Sequence, residues 1–260
     1  MKSTTLFLFL FSWITVSSQE IIDATLQTEK ELQVESLVAI DNFDTIYYIN
    51  NSVFYKKVGE TTSNYSNIQL GDISSANAFN TLKINLFYKN FNTAIILDNR
   101  LAEIFKIDFN SLQPYRSVSH ITTGNDNTLW IFNPDSQQLA LYDYKNNNTR
   151  ANTLPIPSQI LDLKSNYNFC WLLTTKYLYQ FNYFGSLIQK IENNGYTKLI
   201  ESNGNLIAQK ENSLYFLQKG STNFTKINIP ELLIKQFLLT NETLYIYAAN
   251  KLLKFQLKIQ

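Results

Sequence analysis

The sequence predicts an all-β fold, a six-bladed β-propeller built of four-stranded antiparallel blades, and three observations carry that prediction. A turn bearing asparagine recurs six times. Each such turn opens a short strand that is apolar on both faces. The composition matches, with 16 Tyr, 18 Phe and 31 Asn in 260 residues: aromatic residues favour half-buried pleated surfaces, and Asn favours tight turns and tolerates left-handed backbone.

Taking Asn42, Asn90, Asn125, Asn166, Asn203 and Asn241 as markers, the successive spacings are 48, 35, 41, 37 and 38 residues. A propeller blade of four short strands repeats at about 40–50 residues. The strands after the turns include Ile46–Ile49, Ala94–Leu97, Leu129–Phe132, Cys170–Leu173, Leu206–Ala208 and Leu244–Tyr247. A strand that is hydrophobic on both faces is covered on both faces, and a radial array supplies that cover because each blade lies between two neighbours. A second tight turn leads to a third strand in every unit, as in Val53–Tyr55, Leu139–Tyr142 and Leu252–Phe255, which suits hairpins between antiparallel neighbours.

Outer strands read more weakly, at Ser66–Leu70, Leu112–Arg116, Arg150–Ile156, Leu187–Ile191 and Phe224–Ile229. The units fall near 37–72, 82–116, 118–156, 159–192, 196–229 and 235–260, and the sixth has no room for a fourth strand. Residues 25–34 fill that place: pairing with Lys251–Ile259 closes the ring and removes an exposed sheet edge. The long first spacing reads as an insertion around Glu60–Asn80, rich in Ser, Thr and Asn.

Lys2, the apolar run Leu6–Val16 and the small residues Ser17 and Ser18 have the order of a secretory signal peptide over residues 1–18, cut before Gln19. Eleven residues at about 1.5 Å each are too short for a hydrocarbon core of about 30 Å. No cysteine follows the run, which leaves out the lipid-modified cysteine of a lipoprotein. The expectation is an exported chain, periplasmic or secreted, with residues 19–260 as one domain and no later membrane span. With 22 basic and 21 acidic residues, the chain lacks the basic face that a nucleic-acid partner requires. Cys170 is the only cysteine, so no internal disulfide forms and the core alone must hold the fold. Phe169, Trp171, Leu172 and Leu173 surround that thiol with bulk and predict it buried and inert.

The blade unit resembles those of bacterial exported six-bladed propellers of the TolB and NHL type, in which an inner strand and an Asn- or Gly-bearing turn precede a strand with a central Leu-Trp or Leu-Tyr pair, here Leu129-Trp130 and Leu244-Tyr245. The likeness covers Leu37 to the C-terminus and concerns architecture. The Gly-His and Trp-Asp signature of WD40 blades is missing from the sequence, and no family active site carries over residue by residue.

Chemistry is sparse. His120 is the sole histidine and stands in an inner strand, which in a propeller lines the channel; it is the candidate general base or metal ligand. Asp162 and Glu201 are the inner-strand carboxylates, with Lys83 as a further inner-strand charge and Arg116 just before the third unit's strand. Carboxylates converging from several blades would hold a channel-bound divalent cation through oxygen ligands. Only seven glycines are present and no phosphate-cradling loop is among them; no G-x-S-x-G elbow surrounds a serine. Asp41, Asp44 and Asp126 fit turn chemistry better than a calcium loop. Trp130 and Trp171 occupy matching places in neighbouring units and read as core. No cofactor is predicted. The reading is a non-enzymatic module that binds another envelope or secreted protein, or a small ligand; the alternative is a metal-dependent hydrolase or lyase with its site at the central channel.

Overall fold

A computed structural model describes residues 21–259; the expected signal peptide lies outside the described residues. The strands are β1 (Ile21–Glu31), β2 (Ser36–Ile40), β3 (Ile46–Asn50), β4 (Val53–Val58), β5 (Thr61–Tyr65), β6 (Ser75–Asn77), β7 (Ile84–Tyr88), β8 (Thr93–Leu97), β9 (Glu103–Asp108), β10 (His120–Thr123), β11 (Thr128–Asn133) and β12 (Gln138–Asp143). They continue as β13 (Asn148–Asn152), β14 (Ile160–Ser165), β15 (Phe169–Thr174), β16 (Tyr177–Asn182), β17 (Leu187–Glu192), β18 (Lys198–Ser202), β19 (Asn205–Lys210), β20 (Ser213–Leu217), β21 (Phe224–Asn228), β22 (Gln236–Thr240), β23 (Thr243–Ala248) and β24 (Lys251–Leu257). The architecture is an all-β propeller of four-stranded antiparallel blades. Among the described residues no helix is long and apolar enough to cross a membrane.

Six separate blades are not what the sheet topology shows. Four four-stranded sheets stand alone, β2 to β5, β6 to β9, β10 to β13 and β14 to β17, and the remaining eight strands form one continuous sheet in the order β18-β19-β20-β21-β1-β24-β23-β22. The cause is β1, which pairs antiparallel with β24 from Ala24–Leu257 to Glu31–Lys251 and, at its other edge, parallel with β21 through Ile21–Lys226, Ile22–Ile227 and Asp23–Asn228. The sequence predicts the partnership with the last strand; the parallel one was unforeseen, because β1 is mostly exposed and its pairing is a backbone property without a side-chain pattern.

Inner strands follow one another around a centre: β2 neighbours β6, β6 neighbours β10, then β14, β18 and β22, and β22 neighbours β2. Between consecutive groups of strands lies a hydrophobic cluster. Phe87, Ala94 and Ile96 meet Leu129, Ile131 and Tyr142; Trp130, Phe132 and Leu141 meet Leu163, Cys170 and Leu172; Trp171 and Leu173 meet Leu199, Leu206 and Ala208. The series continues with Ile207 and Phe216 against Phe237 and Ile246, Leu238, Tyr245 and Tyr247 against Leu37 and Ile40, and Tyr47 and Phe54 against Leu86 and Ile95. This sandwiching is why every residue of β7 and β8 is buried.

The second unit is out of phase with the sequence reading. Its inner strand is β6, Ser75–Asn77, and Lys83 lies in the turn before β7 rather than on an inner strand. Asn90 falls between β7 and β8, and the counterpart of Asn42 is Asn80, 38 residues on, whose side chain accepts from Leu82 N at 3.0 Å. The expected insertion at Glu60–Asn80 holds β5, a 3-10 turn at Ile68–Leu70 and β6. The outer strand is Glu103–Asp108, and Arg116 sits in the connection to β10. In the first and third units the outer strands likewise lie earlier than read, at Thr61–Tyr65 and Asn148–Asn152.

Gln236 and Tyr247 are among the side chains that fasten the group β22 to β24 onto β2 and the residues just before it. The Gln236 amide accepts from Leu37 N at 2.6 Å and donates to Leu37 O at 3.2 Å, taking the place of a strand. The buried Tyr247 hydroxyl donates to Val34 O at 2.9 Å and accepts from Val34 N at 3.2 Å. Tyr247→Phe strands the Val34 N–H and leaves the Val34 carbonyl with only the Lys235 ammonium at 3.3 Å, and an unsatisfied buried polar group costs about 1–3 kcal/mol; a urea melt should show that loss with an unchanged m-value. Deleting residues 21–31 uncovers the edges of β21 and β24 together. At about 1 kcal/mol net per ladder bond the cost is on the order of 5 kcal/mol, and size-exclusion chromatography of the truncated chain should show self-association through the bared edges.

Candidate functional site

The inner strands end in tight turns that surround a cavity of about 280 Å³. Local chemistry shapes these turns. Asn203 and Asn241 adopt φ of +55°, which Asn tolerates and β-branched residues do not. Asp41 Oδ1 accepts from Phe43 N and Thr45 N, both at 2.9 Å. Gly124 is required by close approach, since a Cβ there would strike Leu141 and the Thr128 side chain and carbonyl.

Around the cavity runs a belt of side-chain hydrogen bonds from group to group. Asn77 joins Thr122 at 3.1 Å and Thr123 at 3.0 Å, and Asn85 donates to Thr123 Oγ1 at 2.9 Å. Ser165 Oγ meets Thr122 Oγ1 at 3.0 Å and donates to the Thr123 carbonyl. Asn166 Nδ2 donates to Glu201 Oε1 at 2.8 Å. Asn203 Nδ2 donates to Asn241 Oδ1 at 2.9 Å, and Asn241 Nδ2 donates to Asn42 Oδ1 at 3.1 Å. At the remaining junction, between β2 and β6, the contact is apolar, through Val38, Ala39 and Ala76.

Charges and aromatic rings complete this mouth. Lys164 and Glu201 line it. Lys164 Nζ is 3.1 Å from Asp162 Oδ1. Burial raises the Glu201 carboxyl above its ordinary value, against the pull of donors from Gly204 N and Asn166. At the rim Phe79 and Tyr167 meet edge to face at 5.0 Å, joining two groups of strands that are not neighbours, and each stays more than 40% exposed. Phe43, in the turn after β2, is 88% exposed. Val38, Ile200 and Leu238 provide the apolar part of the lining.

Of the three sequence-predicted site residues, His120 and Glu201 line different cavities. His120 begins β10 and faces a separate cavity of about 500 Å³ with Ser119, Phe132, Pro134, Pro157 and Gln159. Its Nδ1 is 3.0 Å from Ser119 Oγ. Burial first, then the Lys89 ammonium, push the imidazole pKa below its ordinary value; Asp162 opposes them and Lys164 adds to them. Asp162 serves the backbone, accepting from Leu163 N and Leu199 N at 2.8 Å each. Glu201 is at the other cavity, held by Asn166 and by Gly204 N at 2.7 Å. Lys83 Nζ donates to Asp126 O at 2.6 Å and Asn127 Oδ1 at 3.0 Å. Arg116 bonds Thr149 at 2.7 Å and lies over the Tyr142 ring. Among the described residues no group of three His, Cys, Asp or Glu side chains could hold a metal ion. Cys170 is fully buried, and burial pushes its thiol well above the ordinary value.

Phe79 is the rim residue that sequence reasoning missed, whereas Asn166-Tyr167 shows its ring in the sequence, in the middle of a polar turn where no core can receive it.

The sequence matches no protein-family model and no curated protein. Solved structures share the fold. A catalytically inactive virginiamycin B lyase from Staphylococcus aureus with quinupristin is similar over 94% of this chain and 97% of that one, with 13% identity and a TM-score of 0.61. The Pan2 WD40 domain from Neurospora crassa is similar over 87% of this chain and 76% of that one, with 9% identity and a TM-score of 0.59. PorZ, a bacterial surface component of the type-IX secretion system of Porphyromonas gingivalis, is similar over 87% of this chain but only 36% of its own length, with 14% identity and a TM-score of 0.51. Likeness at these identities shows the β-propeller architecture.

The raised Glu201 carboxyl has a signed consequence. Folding disfavours its ionised form, so the penalty is absent below the pH where the unfolded chain titrates, grows as pH rises through the window up to the raised folded value, and is complete above it. Glu201→Gln keeps an acceptor without the charge: its melting temperature should exceed that of the parent at about pH 8 and converge with it near about pH 4. Glu201→Ala strands Asn166 Nδ2 and Gly204 N–H and should lose about 1–3 kcal/mol across that range.

Proposed function

We propose that this chain is a non-enzymatic binding module whose working surface is the mouth bordered by Phe79 and Tyr167. One observation carries the reading: the exposed ring of Phe79 lines a cavity whose polar lining is largely engaged in hydrogen bonds, and it meets the exposed ring of Tyr167 at 5.0 Å. Exposed rings rarely gather without a partner to cover them, and rigid walls suit recognition because little ordering entropy is lost on binding.

The eight-stranded sheet is counted here as two blades, β18 to β21 and β22 to β24 with β1, making six in all and giving β1 the role of closing strand. The cyclic order of the inner strands and the cluster between β22–β24 and β2 support that count. The TolB and NHL likeness and a bacterial origin belong to this proposal, as does export to the periplasm or beyond, which rests on the order of charge, apolar run and small residues in residues 1–18. The partner is another envelope or secreted protein or a small ligand.

A fragment screen by ligand-observed NMR tests the surface. Thr81 lines the cavity, and Thr81→Trp plugs it. Fragments should bind the parent and be lost from the plugged chain at equal thermal stability. Fragments that bind both chains alike, or a parent that binds none, would sink the proposal.

A further inference from the structure

We propose that the mouth cavity receives a cationic head on an apolar stem, a primary ammonium or a guanidinium, with Glu201 Oε2 as its counter-charge. This rests on the mouth being the binding surface and specifies what it takes.

Both donors to Glu201 act on one oxygen: Asn166 Nδ2 and Gly204 N reach Oε1. Oε2 has no hydrogen-bond partner among the described residues. Among the described residues the buried side-chain polar atoms left without a partner are the Tyr88 hydroxyl and Gln209 Oε1, so Oε2 is not sealed away, and Glu201 lines the cavity. The carboxylate is therefore oriented by two bonds and offers its second oxygen to whatever enters.

Nearby charges are already matched or capped. Lys164 is paired with Asp162 at 3.1 Å, and Asp41 Oδ1 caps two backbone N–H groups. No cation lies within salt-bridge distance of Glu201 among the described residues. The charged side chains in and beside the lining are Asp41, Asp162, Glu201 and Lys164, an excess of acid over base, and Glu201 Oε2 is an open oxygen among them. Above it the faces and edges of Phe79 and Tyr167 form the rim, and aromatic faces attract ammonium and guanidinium groups. Below it Val38, Ile200 and Leu238 give a hydrocarbon stem an apolar wall. At about 280 Å³ the cavity is at the small end of ligand pockets, the size of an alkylamine or of one long side chain. A bound cation would also offset the cost that burial imposes on the carboxylate.

Titration calorimetry with three six-carbon probes, hexylamine, hexanol and hexanoate, reads the head-group preference at constant stem. Hexylamine should bind at least about tenfold more tightly than the other two, and Glu201→Gln should erase that preference while leaving hexanol unchanged. Equal affinity for the three, or a preference that survives Glu201→Gln, overturns the proposal. If neutral probes bind and Thr81→Trp abolishes them while hexylamine gains nothing, the binding surface stands and the cation does not. An N-acetylated alanine peptide with one lysine separates the sources: tighter binding of the peptide supports a protein side chain as occupant, and tighter binding of hexylamine supports a free amine.

Discussion

Neighbouring sheets in this molecule do not exchange a backbone ladder, and everything else depends on how that gap is bridged. Each inner strand pairs with one partner and turns its other edge toward the centre, so its polar groups need company that no strand can supply. Short amides and hydroxyls serve instead. Asn77, Ser165, Asn166, Asn203, Asn241 and Gln236 each reach from one group of strands to the next. The apolar clusters between sheets provide most of the burial energy, and this collar sets the angle at which the sheets meet.

The outer circumference solves a different problem. A free edge strand invites pairing with another chain. Strands β5 and β13, Thr-Thr-Ser-Asn-Tyr and Asn-Thr-Arg-Ala-Asn, protect themselves by polarity, and β21 is covered by β1. In β17 the apolar Leu187 and Ile188 are about half exposed, and the same strand carries Lys190, whose ammonium lies 3.8 Å from the Tyr177 ring centroid. Covering β21 and β24 with one segment explains why β1 can be polar and exposed and still matter: its worth is in main-chain bonds, which sequence pattern does not record.

That distinction separates what the sequence revealed from what it hid. Strands such as Leu129–Phe132 and Cys170–Leu173 were readable because sandwiching demands apolar residues on both faces. The inner strand Ser75-Ala76-Asn77 was not, since three small residues satisfy a place whose duties are a close approach and a polar contact. Without that strand in the pattern, the period points to Asn90 in place of Asn80, and the unit shifts by one strand. Among the site residues, Asp162 and Glu201 were found on inner strands as expected, yet sequence period carries no information about which cavity each serves. Asp162 caps the start of β18, while Glu201 meets the turn after it.

The same economy explains why one carboxylate can define the mouth. A polar lining usually leaves many donors and acceptors available, and a ligand must compete with water at each. Here the belt uses most of them for construction, and their strength is already committed to joining strands. Glu201 Oε2 and the rings of Phe79 and Tyr167 stay open, and these groups share a preference for positive charge. Selectivity then comes from charge: an anion meets a fixed negative charge, a neutral polar head gains nothing from it, and only a cation gains at both the carboxylate and the rings.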